Sequence, residues 1–170
     1  MDFKSYIRDV PNFPHNGIIF KDITPLLNNS EALKMAVDGL KNMVDNRKVD
    51  KVVGMESRGF IFGPMLAEKL DAGFVPVRKP GKLPSEKISE SYALEYGSDT
   101  LEIHSDSIQK GDKVLIHDDV LATGGTAGAV VKLVERLGGE IVQLNFLIEL
   151  EFLKGLDKLG GYEMKSLITY

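Results

Sequence analysis

The chain lacks several residue types and patterns, and each absence excludes a class of protein. Among its 170 residues there is no cysteine, which rules out disulfides, zinc–thiolate sites and a cysteine nucleophile. Its three histidines are scattered, without the spacing of a metal site. No apolar run approaches the ~20 residues of a membrane span, and the N-terminus has no apolar signal-peptide core. We therefore expect a cytoplasmic protein with no membrane partner.

Basic residues are also fewer than acidic ones. Lys and Arg number 21 against 25 acidic residues, which gives a formal net charge of −4 and argues against a nucleic-acid partner. Hydrophobic residues make up 43% of the chain and charged residues 27%, without internal repeats or linkers. These values predict one globular domain over residues 1–170 with a single core.

The most informative stretch is residues 114–126, VLIHDDVLATGGT. Its apolar start predicts a buried strand of a parallel sheet, and Asp118 and Asp119 follow where we expect that strand to end. Small and hydroxyl residues come next. A helix pattern then continues, with apolar residues every three or four positions, to Gly138. The unit is therefore strand, acidic turn, Thr-Gly-Gly-Thr loop and helix.

The chemistry of this unit favours a sugar phosphate. Glycines let the backbone approach a ligand, and the unpaired N–H groups of a helix N-terminus attract an anion such as phosphate. Thr123 and Thr126 add hydroxyl donors, while Asp118 and Asp119 suit sugar hydroxyls or a metal carried by the ligand. The spacing matches neither a Walker loop, which needs a lysine here, nor a dinucleotide fingerprint. The alternative is an ordinary strand-to-helix turn.

Two further segments carry positive charge where the pattern predicts the ends of strands. Arg58 follows the short apolar strand at residues 52–55, and the basic segment 78–87 follows a strand at 73–77 whose proline disfavours a central position. Each could be a solvated surface charge. However, loops at the carboxyl ends of parallel strands meet at one edge of a sheet, so an acidic and a basic turn together favour a binding site.

The remaining patterns predict an α/β fold with a mostly parallel sheet and helices on both faces. Helices are expected at about 2–10, 30–44, 60–70 and 152–159, with Asn29 or Ser30 as the cap of the second. Further strands are expected at 140–148 and 167–168. Alternating residues at 89–96 and 101–103 predict a hairpin at the edge of the sheet.

Residues 114–126 resemble the binding motif for 5-phosphoribosyl 1-pyrophosphate (PRPP) of the type I phosphoribosyltransferases. The form DDVLATGGT, together with the N-terminal FPxxGIIFKDITP at residues 13–25, resembles the branch of that family that uses adenine. The resemblance covers essentially the whole chain. It implies a type I phosphoribosyltransferase-like fold, with a hood arm at 1–30 and a lid loop and edge hairpin at 78–97. His117, where an aliphatic residue is usual, and Lys21, where arginine is frequent, are departures.

The resemblance also implies a role for each matching residue. The PRPP or AMP phosphate and ribose are bound by Asp118, Asp119, Ala122, Thr123, Gly124, Gly125 and Thr126. Pyrophosphate is bound by Arg58, Arg78, Lys79 and Lys82. Adenine is bound by Ile19, Phe20 and Lys21, through main-chain groups and a stack on the phenylalanine. Glu95 and Arg58 are the catalytic residues, and a cis peptide joins Glu56 to Ser57.

The function implied is purine salvage, in which adenine and PRPP give AMP and pyrophosphate. Mg²⁺ is held through PRPP rather than by the protein directly, with Asp118 and Asp119 as the nearest carboxylates. A homodimer is expected. Alternatives are a transferase for another purine (xanthine or hypoxanthine), a non-catalytic PRPP-sensing regulator, which would need a DNA-binding extension or a basic face, and a plain sugar-phosphate binding module. A binding module would lack the basic lid and Glu95.

Overall fold

The computed structural model describes residues 2–93 and 97–170. The chain divides into two compact units, Met1–Gly39 and Leu40–Tyr170. Within the described residues, no helix combines the length and the apolar character needed to span a bilayer.

The first unit is built on a small antiparallel ribbon. A 3₁₀ turn at Phe3–Tyr6 leads into β1 (Arg8–Pro11), which pairs with β2 (Ile19–Asp22). The expected helix at 2–10 is therefore wrong beyond its first turn, because residues 8–11 make cross-strand hydrogen bonds instead. A short helix, α1 (Thr24–Leu27), precedes α2 (Ser30–Met43). The Asn29 side chain caps α2 as predicted, accepting a hydrogen bond from the Ala32 N–H at 2.9 Å.

The second unit contains a five-stranded parallel sheet, as the sequence predicts. Its strands lie in the order β4-β3-β7-β8-β9. Their bounds are Lys51–Met55 (β3), Gly73–Val77 (β4), Lys113–Leu121 (β7), Glu140–Glu149 (β8) and Met164–Thr169 (β9). The helices of this unit after α2 are α3 (Gly59–Lys69) and α4 (Gly125–Arg136). β4 lies at the edge, where Pro76 does not interrupt a central ladder.

Helices pack on both faces of this sheet, which confirms the expected fold class. Residues that alternate along the strands contact α4 in the main core. The core members on β3, β7, β8 and α4 are Val53, Met55, Val114, Ile116, Leu144, Phe146, Ala127, Val130, Leu133 and Val134. On the opposite face α3 lies against β3 and β7, and the Phe62 ring is 6.0 Å from the His117 ring.

β7 is longer than the sequence predicts, and this corrects the position of the two aspartates. We expected the strand to end before Asp118, but β8 pairs with it as far as Leu121 and Glu149. Asp118 and Asp119 therefore belong to the strand, and their side chains leave it in opposite directions. The position matters because a strand fixes the direction of a side chain more firmly than a turn does.

Two smaller expectations also change. The predicted hairpin forms from β5 (Lys87–Ala93) and β6 (Ser98–His104), but it is a separate two-stranded sheet rather than an edge of the main one. An isolated antiparallel bridge, Arg78 to Glu102, links it to the end of β4. The expected helix at 152–159 is two 3₁₀ turns, Glu151–Leu153 and Gly155–Lys158, because Lys154 between them has a φ of +51°.

We expect Gly63→Ala in α3 to destabilise the protein by about 1–3 kcal/mol, although alanine is the better helix former. The Phe74 ring occupies the space beside Gly54 and Gly63, where larger residues would place their side chains. A Cβ on Gly63 would overlap that ring, and one on Gly54 would lie 2.7 Å from it, so an added methyl group at Gly63 forces the ring to move. Urea unfolding would measure the change.

The matched control is Gly128→Ala in α4, where an added Cβ meets no atom within 4 Å. Helix propensity alone should then stabilise the protein by up to about 1 kcal/mol. Equal effects of the two substitutions would contradict the role of the Phe74 ring.

Candidate active site

A loop at residues 122–124 leads from β7 into α4 and forms a small concave site. Gly124 precedes the helix with φ +76°, in the left-handed region that glycine tolerates. No side chain among the described residues caps this helix, so the N–H groups of its first turn face the loop. A cavity of about 70 Å³ lies here. Its lining residues are Asp118, Val120, Leu121, Ala122, Thr123, Gly124, Gly125, Thr126, Ala127 and Phe146. The size and the N–H donors suit a phosphate group.

The acidic pair lies beside this loop and contacts the basic turn after β3. Asp118 Oδ1 accepts a hydrogen bond from the Asp119 N–H at 2.8 Å. Asp119 is 3% exposed, and its Oδ2 lies 2.9 Å from Arg58 Nε, an ion pair without the alignment of a hydrogen bond. A Cβ on Gly59 would lie 3.0 Å from Asp118 Oδ1, so the β3–α3 turn and the end of β7 are in close contact.

Burial makes both carboxylates weaker acids than usual. It raises the pKa of Asp118 well above its ordinary value, and the neighbouring charge of Asp119 raises it further. Burial also raises the pKa of Asp119, against the opposing effect of the Arg58 charge. A ligand that brings hydroxyl donors or a cation to these oxygens would stabilise their charged forms. The pair is therefore suited to a sugar diol or to a ligand-bound metal.

His117 turns away from the cavity and belongs to the packing beneath it. It is fully buried, and its Nδ1–H donates to Asn145 Oδ1 at 2.7 Å, while Asn145 Nδ2 donates to the Leu40 carbonyl at 3.3 Å. Burial lowers the pKa of His117 to about 4, although the Asn145 hydrogen bonds oppose the change. The ring is therefore neutral at physiological pH, and this departure from the usual aliphatic residue leaves the cavity lining intact.

The basic lid segment gathers around a carboxylate that the sequence analysis did not select. Glu56, at the end of β3, accepts hydrogen bonds from Arg78 Nε at 3.4 Å, the Lys79 N–H at 2.9 Å and Lys82 Nζ. Burial opposes its ionisation, but Lys82, Lys79 and Arg78 together lower the pKa of Glu56. The Arg78 and Lys82 side chains and the Lys79 backbone therefore lie near the Arg58 turn. Glu56 could have been suspected, because it opens the same turn, whose cis peptide between Glu56 and Ser57 is confirmed.

A second set of missed residues connects the basic segment to the loop that precedes α4. Thr126 Oγ1 donates to Tyr92 OH at 3.3 Å, and Tyr92 OH donates to Asp99 Oδ2 at 3.4 Å. Asp99 Oδ2 also lies 2.9 Å from Lys79 Nζ. Tyr92 and Asp99 are cross-strand partners in the hairpin. No local motif marks either residue, since their roles arise from the register of two strands.

The residues expected to bind adenine lie on β2, in the first unit. Ile19 is 54% exposed, the Phe20 ring packs 5.1 Å from the Phe13 ring, and Lys21 Nζ lies 2.7 Å from Asp9 Oδ1. The Lys21 side chain is thus engaged within the ribbon. Glu95 lies outside the described residues.

Comparison with known proteins identifies the family. A model of the phosphoribosyl transferase domain matches residues 25–166. Adenine phosphoribosyltransferase of Christiangramia forsetii is 64% identical over 170 residues, covering 100% of this chain and 99% of that one, and its Thermotoga maritima counterpart is 57% identical over 100% and 98%.

Comparison with solved structures gives the same family. Adenine phosphoribosyltransferase from Thermoanaerobacter pseudethanolicus matches with a TM-score of 0.97 at 51% identity, covering 99% of this chain and 98% of that one. The Saccharomyces cerevisiae enzyme, complexed with an imino-altritol bisphosphate and adenine, matches with a TM-score of 0.92 at 44% identity, over 98% and 96%.

The chain therefore belongs to the phosphoribosyltransferase family, as its motifs predict. Within that family, these full-length relatives are adenine phosphoribosyltransferases.

We expect His117 to make stability fall in acid. Its pKa is 6.5 in the unfolded chain and about 4 when folded, so between these values the unfolded state binds a proton that the folded state does not. The free energy of unfolding should fall by up to about 3 kcal/mol across this range. Asp118 and Asp119, whose folded pKa values are raised, act with the opposite sign.

The contribution of His117 is isolated by comparing the unfolding free energies of the wild type and His117→Leu from neutral pH to pH 4. The difference should shift by about 3 kcal/mol in favour of the variant as the pH falls. A difference that does not change with pH would contradict a buried neutral His117.

Proposed function

We propose that the protein transfers the 5-phosphoribosyl group of PRPP to adenine, giving AMP and pyrophosphate. N9 of adenine forms a bond to C1′ of the ribose as the C1′–O bond to pyrophosphate breaks, and pyrophosphate leaves with the electron pair. The observation that carries the proposal is the cavity at the start of α4, beside an acidic pair that touches the basic Arg58 turn. This combination, in a chain whose full-length relatives are adenine phosphoribosyltransferases, suits a sugar with phosphates at both ends.

The 5′-phosphate and the ribose occupy the end of β7 in this proposal. The N–H groups at the start of α4 and the hydroxyls of Thr123 and Thr126 donate to the phosphate, and Ala122, Gly124 and Gly125 let the backbone come close. Asp118 and Asp119 accept hydrogen bonds from the ribose hydroxyls. These groups fix C1′ relative to the leaving group, which is the positioning that group transfer requires.

The pyrophosphate is held by Arg58, Arg78, Lys79 and Lys82. In the described structure these cations are paired with carboxylates: Arg58 with Asp119, Lys79 with Asp99, and Arg78 and Lys82 with Glu56. The leaving group would exchange places with these partners. Charge-assisted contacts to its oxygens stabilise the negative charge that develops as the C1′–O bond breaks.

Mg²⁺ would enter the site together with PRPP. Among residues 2–93 and 97–170 there is no cluster of three or more side chains able to hold a metal. Asp118 and Asp119 are the carboxylates that would lie nearest to the ion, and carboxylate oxygens suit Mg²⁺ and the water that it carries. When bound, the ion supplies positive charge that offsets that of the leaving group.

The base is held by β2 and its proton is removed by Glu95. Main-chain groups of Ile19 and Lys21 read the edge of adenine, while Phe20 stacks on its face. As N9 attacks, positive charge builds on the imidazole ring and the N7–H becomes acidic, so a carboxylate near N7 can accept the proton.

We further propose that the enzyme is a homodimer and acts in the cytoplasm.

The direct test is a panel of bases with PRPP and Mg²⁺, read as pyrophosphate release. Adenine should be the preferred substrate, because the proposed main-chain contacts match its amino edge and not the oxo edge of hypoxanthine or xanthine. Turnover of hypoxanthine above adenine would reassign the base. PRPP binding without turnover of any purine would favour a non-catalytic regulator.

Glu95→Gln is nearly isosteric but cannot take the proton. We expect kcat to fall by roughly 10²–10⁴-fold, with the dissociation constant for PRPP within about threefold of the wild type. The control is Glu90→Gln on β5, since Glu90 pairs with Lys132 on the exposed side of α4. Near wild-type single-turnover rates in Glu95→Gln would rule out the general-base role.

A further inference from the structure

The phosphate loop, residues 122–126, is in close contact with a segment that no motif includes. Gly155, the buried first residue of a 3₁₀ turn, lies directly against its backbone. A Cβ on Gly155 would overlap the Ala122 carbonyl oxygen and lie 3.1 Å from the Gly124 nitrogen. Conversely, a Cβ on Gly124 would overlap the Gly155 carbonyl. The two backbones therefore meet without room for a side chain on either.

The segment that carries Gly155 is anchored and cannot easily retreat. The Leu150 N–H donates to the Leu121 carbonyl at the end of β7, at 3.0 Å, and the Glu151 N–H donates to the Tyr170 carbonyl at 2.9 Å. Lys154 then takes a left-handed conformation, with φ +51°, that turns Gly155 towards the loop. Hydrogen bonds to the end of β7 and to the residue after β9 thus anchor the start of the segment that carries Gly155.

Tyr92 makes the second contact, with the start of α4. A Cβ on Gly125 would lie 3.3 Å from Tyr92 Cδ2, so the tyrosine ring lies over the first residue of the helix. Its hydroxyl accepts a hydrogen bond from Thr126 Oγ1 and donates to Asp99. If the Thr126 hydroxyl donates a hydrogen bond to a phosphate, its oxygen can still accept a hydrogen bond from the Tyr92 hydroxyl. Tyr92 can therefore orient the Thr126 hydroxyl with or without ligand.

We infer that Gly155 and Tyr92 are positioning residues for the phosphate site. They hold the loop so that its N–H groups and the Thr126 hydroxyl converge on one point. Ligand-binding groups need to be held within about 0.5 Å of the productive geometry, and the overlap that a Cβ would create here exceeds that margin. The inference rests on the proposed phosphate site at this loop.

The sharpest test is Gly155→Ala. Gly155 lies outside the left-handed region, so alanine can adopt its backbone conformation and the substitution acts through the new contact alone. The dissociation constant of AMP and the KM of PRPP should each rise by roughly tenfold or more, the loss expected for charge-assisted contacts. The KM of adenine, at saturating PRPP, should stay within about twofold. Gly160→Ala is the control, because a Cβ there meets nothing within 4 Å.

Tyr92→Phe tests the same inference without steric disruption. Removing one hydroxyl should raise the KM of PRPP by roughly two- to tenfold, the usual value of a lost hydrogen bond, and leave the KM of adenine unchanged. Tyr162→Phe is the matched control, since the Tyr162 hydroxyl bonds to Glu135 at the exposed surface. If Gly155→Ala does not fold, Tyr92→Phe decides alone.

The outcomes separate this inference from the proposed function. A wild type that binds neither AMP nor PRPP overturns both. A wild type that binds AMP, with folded variants that bind it equally well, overturns the inference only. Equal losses for AMP and adenine also overturn it, because they indicate a general structural defect. Selective loss of the phosphate-bearing ligands supports it.

Discussion

The parallel pairing of β3 with β7 is the constraint on which the site depends. Gly54 is the partner of His117, so the turn after β3 and the acidic end of β7 emerge at the same edge of the sheet. Glycines then allow these segments to touch, since a Cβ on Gly59 would lie 3.1 Å from the His117 carbonyl. Without this close packing, Arg58 could not reach Asp119, and the basic and acidic halves of the site would stand apart.

The electrostatics of the site follow from this arrangement. Each cation proposed for pyrophosphate is paired with a carboxylate of the same unit, so the site is nearly neutralised before any ligand arrives. Pairs of this kind reduce the mutual repulsion of clustered lysines and arginines. They also offset the free-energy cost of desolvating Glu56 and Asp119. Ligand binding would then be an exchange of partners. Such exchange favours a ligand with several charged oxygens over a single anion.

Much of the fold could be predicted because it follows from short-range patterns. The apolar runs gave the strands of the sheet, the period of α4 gave its length, and Asn29 marked the start of α2. The errors occurred where pairing overrides local preference. Asp118 and Asp119 lie within β7 because β8 continues alongside, and residues 8–11 form a strand because β2 offers hydrogen bonds. A single strand's pattern does not reveal the length of its partner.

The sequence by itself determined the prediction of a sugar-phosphate ligand, because the Thr-Gly-Gly-Thr loop and the acidic pair are contiguous and their chemistry needs no distant residue. Only the tertiary structure decided which groups support them. Glu56 meets Lys82 across 26 residues, and Tyr92 meets Thr126 across 34. Gly155 lies against the phosphate loop, and a hydrogen bond at the end of β7 holds the start of its segment. Contacts of this kind depend on topology and register, which set distances between segments and which no local pattern of residues encodes.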